Sequence, residues 1–97
     1  MYKAIAVWTK PHDTDAFEKE YAEVHNPLVA PLPHLKSYET DKVMDGPFYR
    51  VAQMTFETLE DLQAAFGSEA GQALVGDARR MESAYGNHLD VCVVAVE

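Results

Sequence analysis

The run of residues 89–96, LDVCVVAV, is apolar on both of the faces that a β-strand presents. Its odd-numbered positions hold leucine, valine, valine and alanine, and its even-numbered positions after Asp90 hold cysteine and two valines. Residues 3–9 share this two-sided pattern. Such strands must be covered from both sides, so an open sheet with one wet face cannot accommodate them. In a chain of 97 residues with no spare segment, a second copy is the economical cover, and we expect a homodimer.

Hydrophobic periodicity divides the chain into strands and helices in the order βαββαβ. This order predicts a ferredoxin-like α+β fold, in which helices cover one side of a four-stranded antiparallel sheet. We expect residues 1–97 to form a single domain. The predicted strands are 3–9, 35–44, 48–57 and 89–96, and the predicted helices are 14–29, a short one from Thr58 to Gly67, and another between Ser68 and Gly86.

Composition and charge exclude several classes of function. The net charge is −8 and the eight basic residues are scattered, so binding to nucleic acid or to an anionic membrane is not expected. A single cysteine, Cys92, allows no internal disulfide, and on its apolar strand we expect it to be an inert buried thiol. The N-terminal residues do not resemble a signal peptide, and no apolar run has a membrane helix's length, so a cytoplasmic location is expected.

His25 is the principal catalytic candidate. It lies four residues after Tyr21, at the edge of the apolar stripe of helix 14–29, and just before Pro27, where a helix must kink or end. The helix C-terminus favours an imidazolium and burial favours a neutral ring, so the pKa could lie near neutrality, as a general acid or base requires. From the residues alone, a histidine that simply caps a helix end explains the pattern better.

Other residues are weaker candidates for a binding site. Tyr38 shares a strand face with Thr40 and could orient a carbonyl or stabilise an enolate, although sheet packing alone explains an aromatic residue there. The spacing of the other histidines matches no metal site. The further candidates for contact with a substrate, each of which could equally be a packing residue, are Trp8, Tyr21, Phe48 and Arg50.

Read together, these segments resemble the EthD family, small proteins first linked to ethyl tert-butyl ether degradation. The resemblance covers nearly the whole chain. The family usually has Pro-Gly where this chain has Pro33-His34, so we expect that loop to differ in shape. The segments that carry the resemblance are Thr9-Lys10-Pro11, Phe17 with Tyr21, His25-Asn26-Pro27-Leu28, Leu32-Pro33, Tyr38-Glu39, Phe48-Tyr49-Arg50-Val51-Ala52 and Ser68-Glu69-Ala70-Gly71-Gln72.

The resemblance implies a dimeric α+β barrel with a helix-end histidine that points into a pocket beside the sheet. Similar small barrels include muconolactone and methylmuconolactone isomerases and some polyketide cyclases. In the methylmuconolactone enzymes a histidine on the first helix and a tyrosine on the second strand line the site, and His25 and Tyr38 match those positions. The resemblance therefore favours a functional His25, but it does not specify a reaction.

Three functions remain open from the sequence. The first is a protein of small-molecule catabolism, such as a cofactor-independent isomerase, cyclase or lyase, in which His25 moves a proton on an apolar, oxygen-bearing substrate held by Tyr38. The second is a carrier or sensor dimer that binds a hydrophobic metabolite without changing it. The third is haem handling, with His25 as an axial ligand.

Overall fold

The sheet has the strand order expected of the predicted fold. The computed structural model describes residues 1–97, and its four strands form one antiparallel sheet in the order β2-β3-β1-β4. With helices on one side, this is the ferredoxin-like α+β fold, and the predicted fold class is confirmed. The strands are β1 (Tyr2–Trp8), β2 (Ser37–Lys42), β3 (Arg50–Phe56) and β4 (Leu89–Ala95).

Three α-helices, α1 (Thr14–Glu20), α2 (Leu59–Gly67) and α3 (Glu69–Tyr85), begin at side-chain caps. The side chains of Asp13, Thr58 and Ser68 each accept a hydrogen bond from a backbone N–H in the first turn, which satisfies a donor that the helix leaves free. As the sequence predicts, Gly67 is the last residue of α2 and Ser68 caps the start of α3. No helix combines the length and apolar character needed to cross a membrane.

The predicted single helix over 14–29 is wrong in its second half. The α-helix ends at Glu20, and the chain continues as a π-helical turn, Tyr21–His25, and a 3-10 turn, Asn26–Leu28. The Asn26 N–H donates to the Tyr21 carbonyl five residues back. Pro27 has no N–H and its ring would clash with the carbonyl four residues back in an α-helix, so the backbone widens before it. Single π turns inside helices frequently lie at functional sites.

The core lies between the helices and one face of the sheet. Strand pairing places Trp8 of β1 beside Arg50 of β3 and Leu89 of β4 on this helix-side face. The Trp8 ring packs edge-on against Phe17 of α1 and Tyr21, with ring centres 5.3 and 6.2 Å apart. These aromatic contacts attach the first helical segment to the centre of the sheet.

The opposite face, which we call the open face, carries an apolar patch on its central strands. Ile5, Val7 and Val51 are half-buried there, and Cys92, which pairs with Ile5, is exposed. The prediction that Cys92 is buried is therefore wrong for the single chain, because β4 is an edge strand and its even-numbered side chains point away from the helices. This face is therefore the candidate for the contact between subunits that the sequence predicts.

The loop at Pro33-His34 keeps a left-handed residue although it lacks glycine. His34 has φ of 64°, a conformation that glycine adopts readily and that histidine adopts more often than most other residues. The histidine therefore adopts a conformation that glycine would adopt readily, and the expected difference in loop shape from the family stays a prediction.

Gly71, in the first turn of α3, lies where α2 and α3 approach too closely for a larger side chain. A Cβ atom there would press on the Ala65 carbonyl oxygen and lie 2.6 Å from the Phe66 Cα, whereas a Cβ at Gly76 would meet nothing. We expect Gly71→Ala to lower the free energy of unfolding by about 1–3 kcal/mol through overpacking. Gly76→Ala, the control, should raise it by up to about 1 kcal/mol through helix propensity. Urea unfolding of both variants measures this, and equal effects would contradict it.

Candidate functional site

His25 is buried and lines a small cavity between the helices and the sheet. The residue is 7% exposed, and its ring packs at 87° to Trp8 with centres 5.7 Å apart. The π-helical turn also places Tyr21 beside it, with ring centres 5.4 Å apart. The cavity has a volume of about 50 Å³, and Trp8, Tyr21, His25 and Tyr38 contribute to its otherwise apolar walls. The helix-borne histidine therefore borders a partly open space whose walls are mainly apolar.

A carboxylate from α3 holds one nitrogen of the His25 ring. The His25 Nδ1 lies 2.9 Å from Asp77 Oδ2, and Arg80 Nε donates to the other Asp77 oxygen at 2.8 Å. Burial raises the pKa of Asp77, but the hydrogen bonds from Arg80 and His25 outweigh it and the pKa is lowered. An ionised carboxylate only accepts hydrogen bonds, so the proton of a neutral His25 sits on Nδ1.

This arrangement leaves the Nε2 of His25 as a base. Burial is the largest effect on its pKa, and although Asp77 partly opposes it, the pKa of His25 is lowered from the ordinary histidine value. The ring is therefore neutral at pH 7, with a lone pair on Nε2. Nε2 makes no hydrogen bond within the chain, whereas Nδ1 is fully engaged. A neutral imidazole held in this way can accept a proton from a bound molecule.

Tyr38, which lines the same cavity as His25, belongs to a chain of hydroxyl groups. Its hydroxyl donates to Asn26 Oδ1 at 2.5 Å and lies 3.3 Å from the Tyr21 hydroxyl. Tyr21 in turn lies 2.8 Å from Thr40 Oγ1. Burial, followed by the neighbouring Tyr21, raises the pKa of Tyr38, so its hydroxyl stays protonated and serves as a hydrogen-bond donor. The 3-10 turn after His25 thus orients Tyr38 through Asn26.

Arg50 is engaged by protein groups. Its guanidinium pairs with Glu18 of α1, donates to Thr40 Oγ1 at 3.0 Å, and lies 4.5 Å from the centre of the Tyr21 ring. Burial tends to lower the pKa of Arg50, but the bonds to Glu18 raise it overall, so the guanidinium stays charged. Glu18 also accepts a hydrogen bond from the Tyr49 hydroxyl. Burial and this hydrogen bond raise the pKa of Tyr49 to about 12. Arg50 therefore supports the wall behind Tyr21 and does not line the cavity.

Comparison with known proteins identifies the family. A model described as the EthD domain matches residues 10–81. The chain belongs to the EthD family. It is 33% identical over 88 residues to an uncharacterized 11.0 kDa protein from the thcB-thcC intergenic region of Rhodococcus erythropolis, with 86% of this chain and 85% of that protein covered.

Solved structures agree with this assignment. A crystal structure of an EthD family protein from Bacillus halodurans superposes with a TM-score of 0.91 at 25% identity, over 100% of this chain and 99% of the other. SnoaB from Streptomyces nogalater, described as a cofactor-independent oxygenase, superposes with a TM-score of 0.73 at 12% identity, over 99% of this chain and 92% of the other. The resemblance seen in the sequence is confirmed, and the more distant structure shares the fold alone.

In this EthD-family protein, four of the six predicted site residues meet at one cavity. Trp8, Tyr21, His25 and Tyr38 line it. Phe48 and Arg50 do not line it: Phe48 is 41% exposed in the loop before β3, and Arg50 is paired with Glu18. Two of the four have a ring nitrogen without a hydrogen-bond partner in the chain, His25 at Nε2 and Trp8 at Nε1, and of these only His25 Nε2 can accept a proton.

The sequence analysis missed Asp77, Asn26 and Glu18, the partners that orient the site. A weak signal for Asp77 is visible in the sequence: it precedes Ala78, a residue on the apolar stripe of α3, and an acidic side chain there borders the core. Nothing in the sequence indicates that it faces His25, because 52 residues separate them.

The site predicts a specific protonation state for His25. We expect the neutral ring to carry its proton on Nδ1 and to titrate below the unperturbed value of about 6.5. Asp77→Asn should lower the pKa further and mix the two neutral tautomers, because the charge that favours the Nδ1 proton is lost. Long-range ¹H–¹⁵N spectra across pH measure both effects, with Asp90→Asn, which alters the exposed His88 pair instead, as control. A proton found mainly on Nε2 would contradict the assignment.

Proposed function

We propose that this protein acts on a small apolar molecule bearing a carbonyl oxygen, and that His25 transfers a proton on it without a cofactor. The observation that carries the proposal is the His25 ring itself: Asp77 holds Nδ1, Nε2 has no partner in the chain, and the residue lines a mainly apolar cavity. A neutral imidazole that is held in one tautomer and whose pKa is lowered by burial suits abstraction of a proton next to a carbonyl.

The proposed reaction conserves atoms and electrons within the substrate. His25 Nε2 takes a proton from the carbon next to the carbonyl, and the electron pair of that C–H bond moves into the enolate. The resulting imidazolium, stabilised by Asp77, returns the proton to a different carbon of the conjugated system. The net result is movement of a double bond, so neither oxidant nor reductant is required.

Tyr38 is the proposed donor to the enolate oxygen. Its raised pKa keeps the hydroxyl protonated, and its ring lines the same cavity as His25. The hydroxyl has a single proton, which now lies on the bond to Asn26 Oδ1. A substrate oxygen would replace Asn26 as the acceptor of that proton, and a donor aimed at the oxygen stabilises the charge that develops there.

SnoaB, described as a cofactor-independent oxygenase, has the same fold, which supports the view that this architecture can host chemistry without a cofactor. The likeness extends to the fold alone, so we do not transfer oxygen chemistry to this chain. The site of this chain instead resembles proton-transfer sites in one physical respect, because a carboxylate orients the histidine.

Isomerisation of α-angelica lactone tests the proposal, because the reaction moves one double bond through a dienolate. We expect the wild-type protein to accelerate it and His25→Ala to lose about 10²-fold or more of that rate. The rate should fall as pH drops through the lowered pKa of His25, at a lower pH than an ordinary histidine with a pKa of about 6.5 would give, because protonation of His25 removes the base. His88→Ala, which removes an exposed histidine with carboxylate neighbours, is the matched control. Equal activity in His25→Ala and the control would refute the role of His25.

The second candidate is a carrier or sensor that binds a hydrophobic metabolite unchanged. It is favoured by one observation, that the Tyr38 proton is already committed to Asn26, so the donor is not free in the unliganded state. Saturable quenching of Trp8 fluorescence by the lactone, with the lactone recovered unchanged and no solvent deuterium in it, would support this function. Deuterium incorporation that depends on His25 would support the enzyme.

We also propose that the protein is a homodimer assembled through the open face of the sheet. Ile5, Val7 and Val51 form an apolar patch there that no part of the chain covers. A second copy is the simplest cover, because the same patch then meets itself about a two-fold axis. Cys92 would become part of that interface. A cytoplasmic location remains a prediction of the sequence.

If the subunits meet through the open face, a charged side chain should disrupt the dimer only when it is placed on that face. Ile5→Glu places an unpaired carboxylate in the middle of the open face, and we expect it to convert the protein from a dimer to the 10.8 kDa chain. Val24→Glu, at an exposed valine on the π-helical turn, is the control and should remain dimeric. Light scattering after gel filtration measures the mass, and a wild-type monomer at micromolar concentration would overturn the proposal.

A further inference from the structure

An apolar groove lies next to the His25 cavity, between α2 and the edge strand β4. Its volume is about 340 Å³, against about 50 Å³ for the cavity. Phe66 and Val91 line both spaces, so they form the boundary between them. The groove therefore adjoins the proposed site. Its lining residues are Ala4, Leu62, Gln63, Phe66, Val91 and Val93.

The difference in volume limits what the cavity can hold. An apolar cavity of about 150 Å³ accommodates benzene, and typical ligand pockets have about 300–1,000 Å³. At about 50 Å³ the cavity beside His25 has room for the reacting end of a molecule and little more. The remainder of any larger ligand must extend past Phe66 and Val91, and the groove of about 340 Å³ is the space that adjoins them.

The chemistry of the groove selects an apolar occupant. Five of its six lining residues are hydrophobic, and the sixth, Gln63, is uncharged. Val91 and Val93 are 55% and 52% exposed, so an occupant would remove apolar surface from water. Both valines pair with residues on the helix-side face of β1, so the groove lies on that face. A dimer that forms sheet against sheet through the open face therefore leaves the groove uncovered.

We propose that the groove binds the hydrocarbon tail of an elongated ligand whose oxygen-bearing end reaches His25. This inference rests on the proposed function and adds a substrate class to it: an amphiphilic lactone or ketone with an alkyl tail. Phe66 and Val91 flank the tail where it leaves the cavity, and Val93 and Leu62 line the groove beyond them. Specificity for tail length resides in the groove, and reactivity resides at His25.

A series of γ-lactones tests the proposal: γ-valerolactone, γ-nonalactone and γ-dodecalactone differ only in alkyl length. Quenching of Trp8 fluorescence, with excitation selective for tryptophan, gives each dissociation constant. We expect affinity to rise by up to about fourfold for each methylene that enters the groove, and to level off when the groove is full. Equal affinity across the series would overturn the proposal.

Variants that fill the groove sharpen the test. Val93→Phe from the strand side and Gln63→Phe from the helix side should both weaken γ-dodecalactone binding at least tenfold and leave γ-valerolactone unchanged. Both positions are exposed, so folding should survive. Ala64→Phe, at the neighbouring exposed position of α2 that does not line the groove, is the matched control and should retain the full dependence on tail length.

The outcomes separate this inference from the proposed function. If His25→Ala abolishes α-angelica lactone isomerisation but no γ-lactone shows a gain with length, the groove proposal fails and the proton-transfer proposal stands. If affinity rises with alkyl length but His25→Ala leaves isomerisation unchanged, the groove proposal stands and the proton-transfer proposal fails. Loss of the dimer in Val93→Phe and Gln63→Phe, but not in Ala64→Phe, would assign the groove to a subunit interface and overturn the ligand proposal.

Discussion

Pro27 constrains more of this molecule than any other single residue. Because it cannot donate a hydrogen bond and its ring excludes a regular α-helical turn before it, the backbone widens over Tyr21–His25 and then tightens over Asn26–Leu28. This local change brings the Tyr21 and His25 rings together beside Trp8 and turns the Asn26 amide toward Tyr38. The basic nitrogen and the phenolic donor of the proposed site thus depend on one backbone irregularity.

Two carboxylates hold this arrangement from opposite sides. Asp77 on α3 binds the His25 ring and is itself held by Arg80, which also pairs with Glu20 at the end of α1. Glu18 on α1 pairs with Arg50 of β3 behind Tyr21. A buried polar group destabilises the fold unless its partners are in place. The site is therefore most ordered when every one of these hydrogen bonds is present, which is the condition that a preoriented base requires.

Apolar surface on the two sides of one sheet has two different explanations in this protein. On the open face, the half-buried patch around Ile5 and Val7 suits a second copy of the chain. On the helix-side face, the exposed Val91 and Val93 border a groove that adjoins the His25 cavity and suits a ligand tail. The distinction follows from the pleat of β4, whose alternate side chains point to opposite faces. The two-sided apolar pattern in the sequence therefore agrees with both the proposed interface and the proposed binding surface.

The sequence by itself determined the fold class, the strand order implied by that fold, the caps at Thr58 and Ser68, and the family, because these depend on local periodicity and short-range pattern. It also singled out His25, from its position before Pro27. Only the tertiary structure decided which side chains meet. It brought Asp77 to His25 across 52 residues, engaged Arg50 with Glu18, left Phe48 outside the cavity and exposed Cys92 at the sheet edge. Contacts between distant segments depend on how the helices pack on the sheet. The periodic pattern of the sequence shows which residues of a helix border the core, but not which residues of another segment they meet.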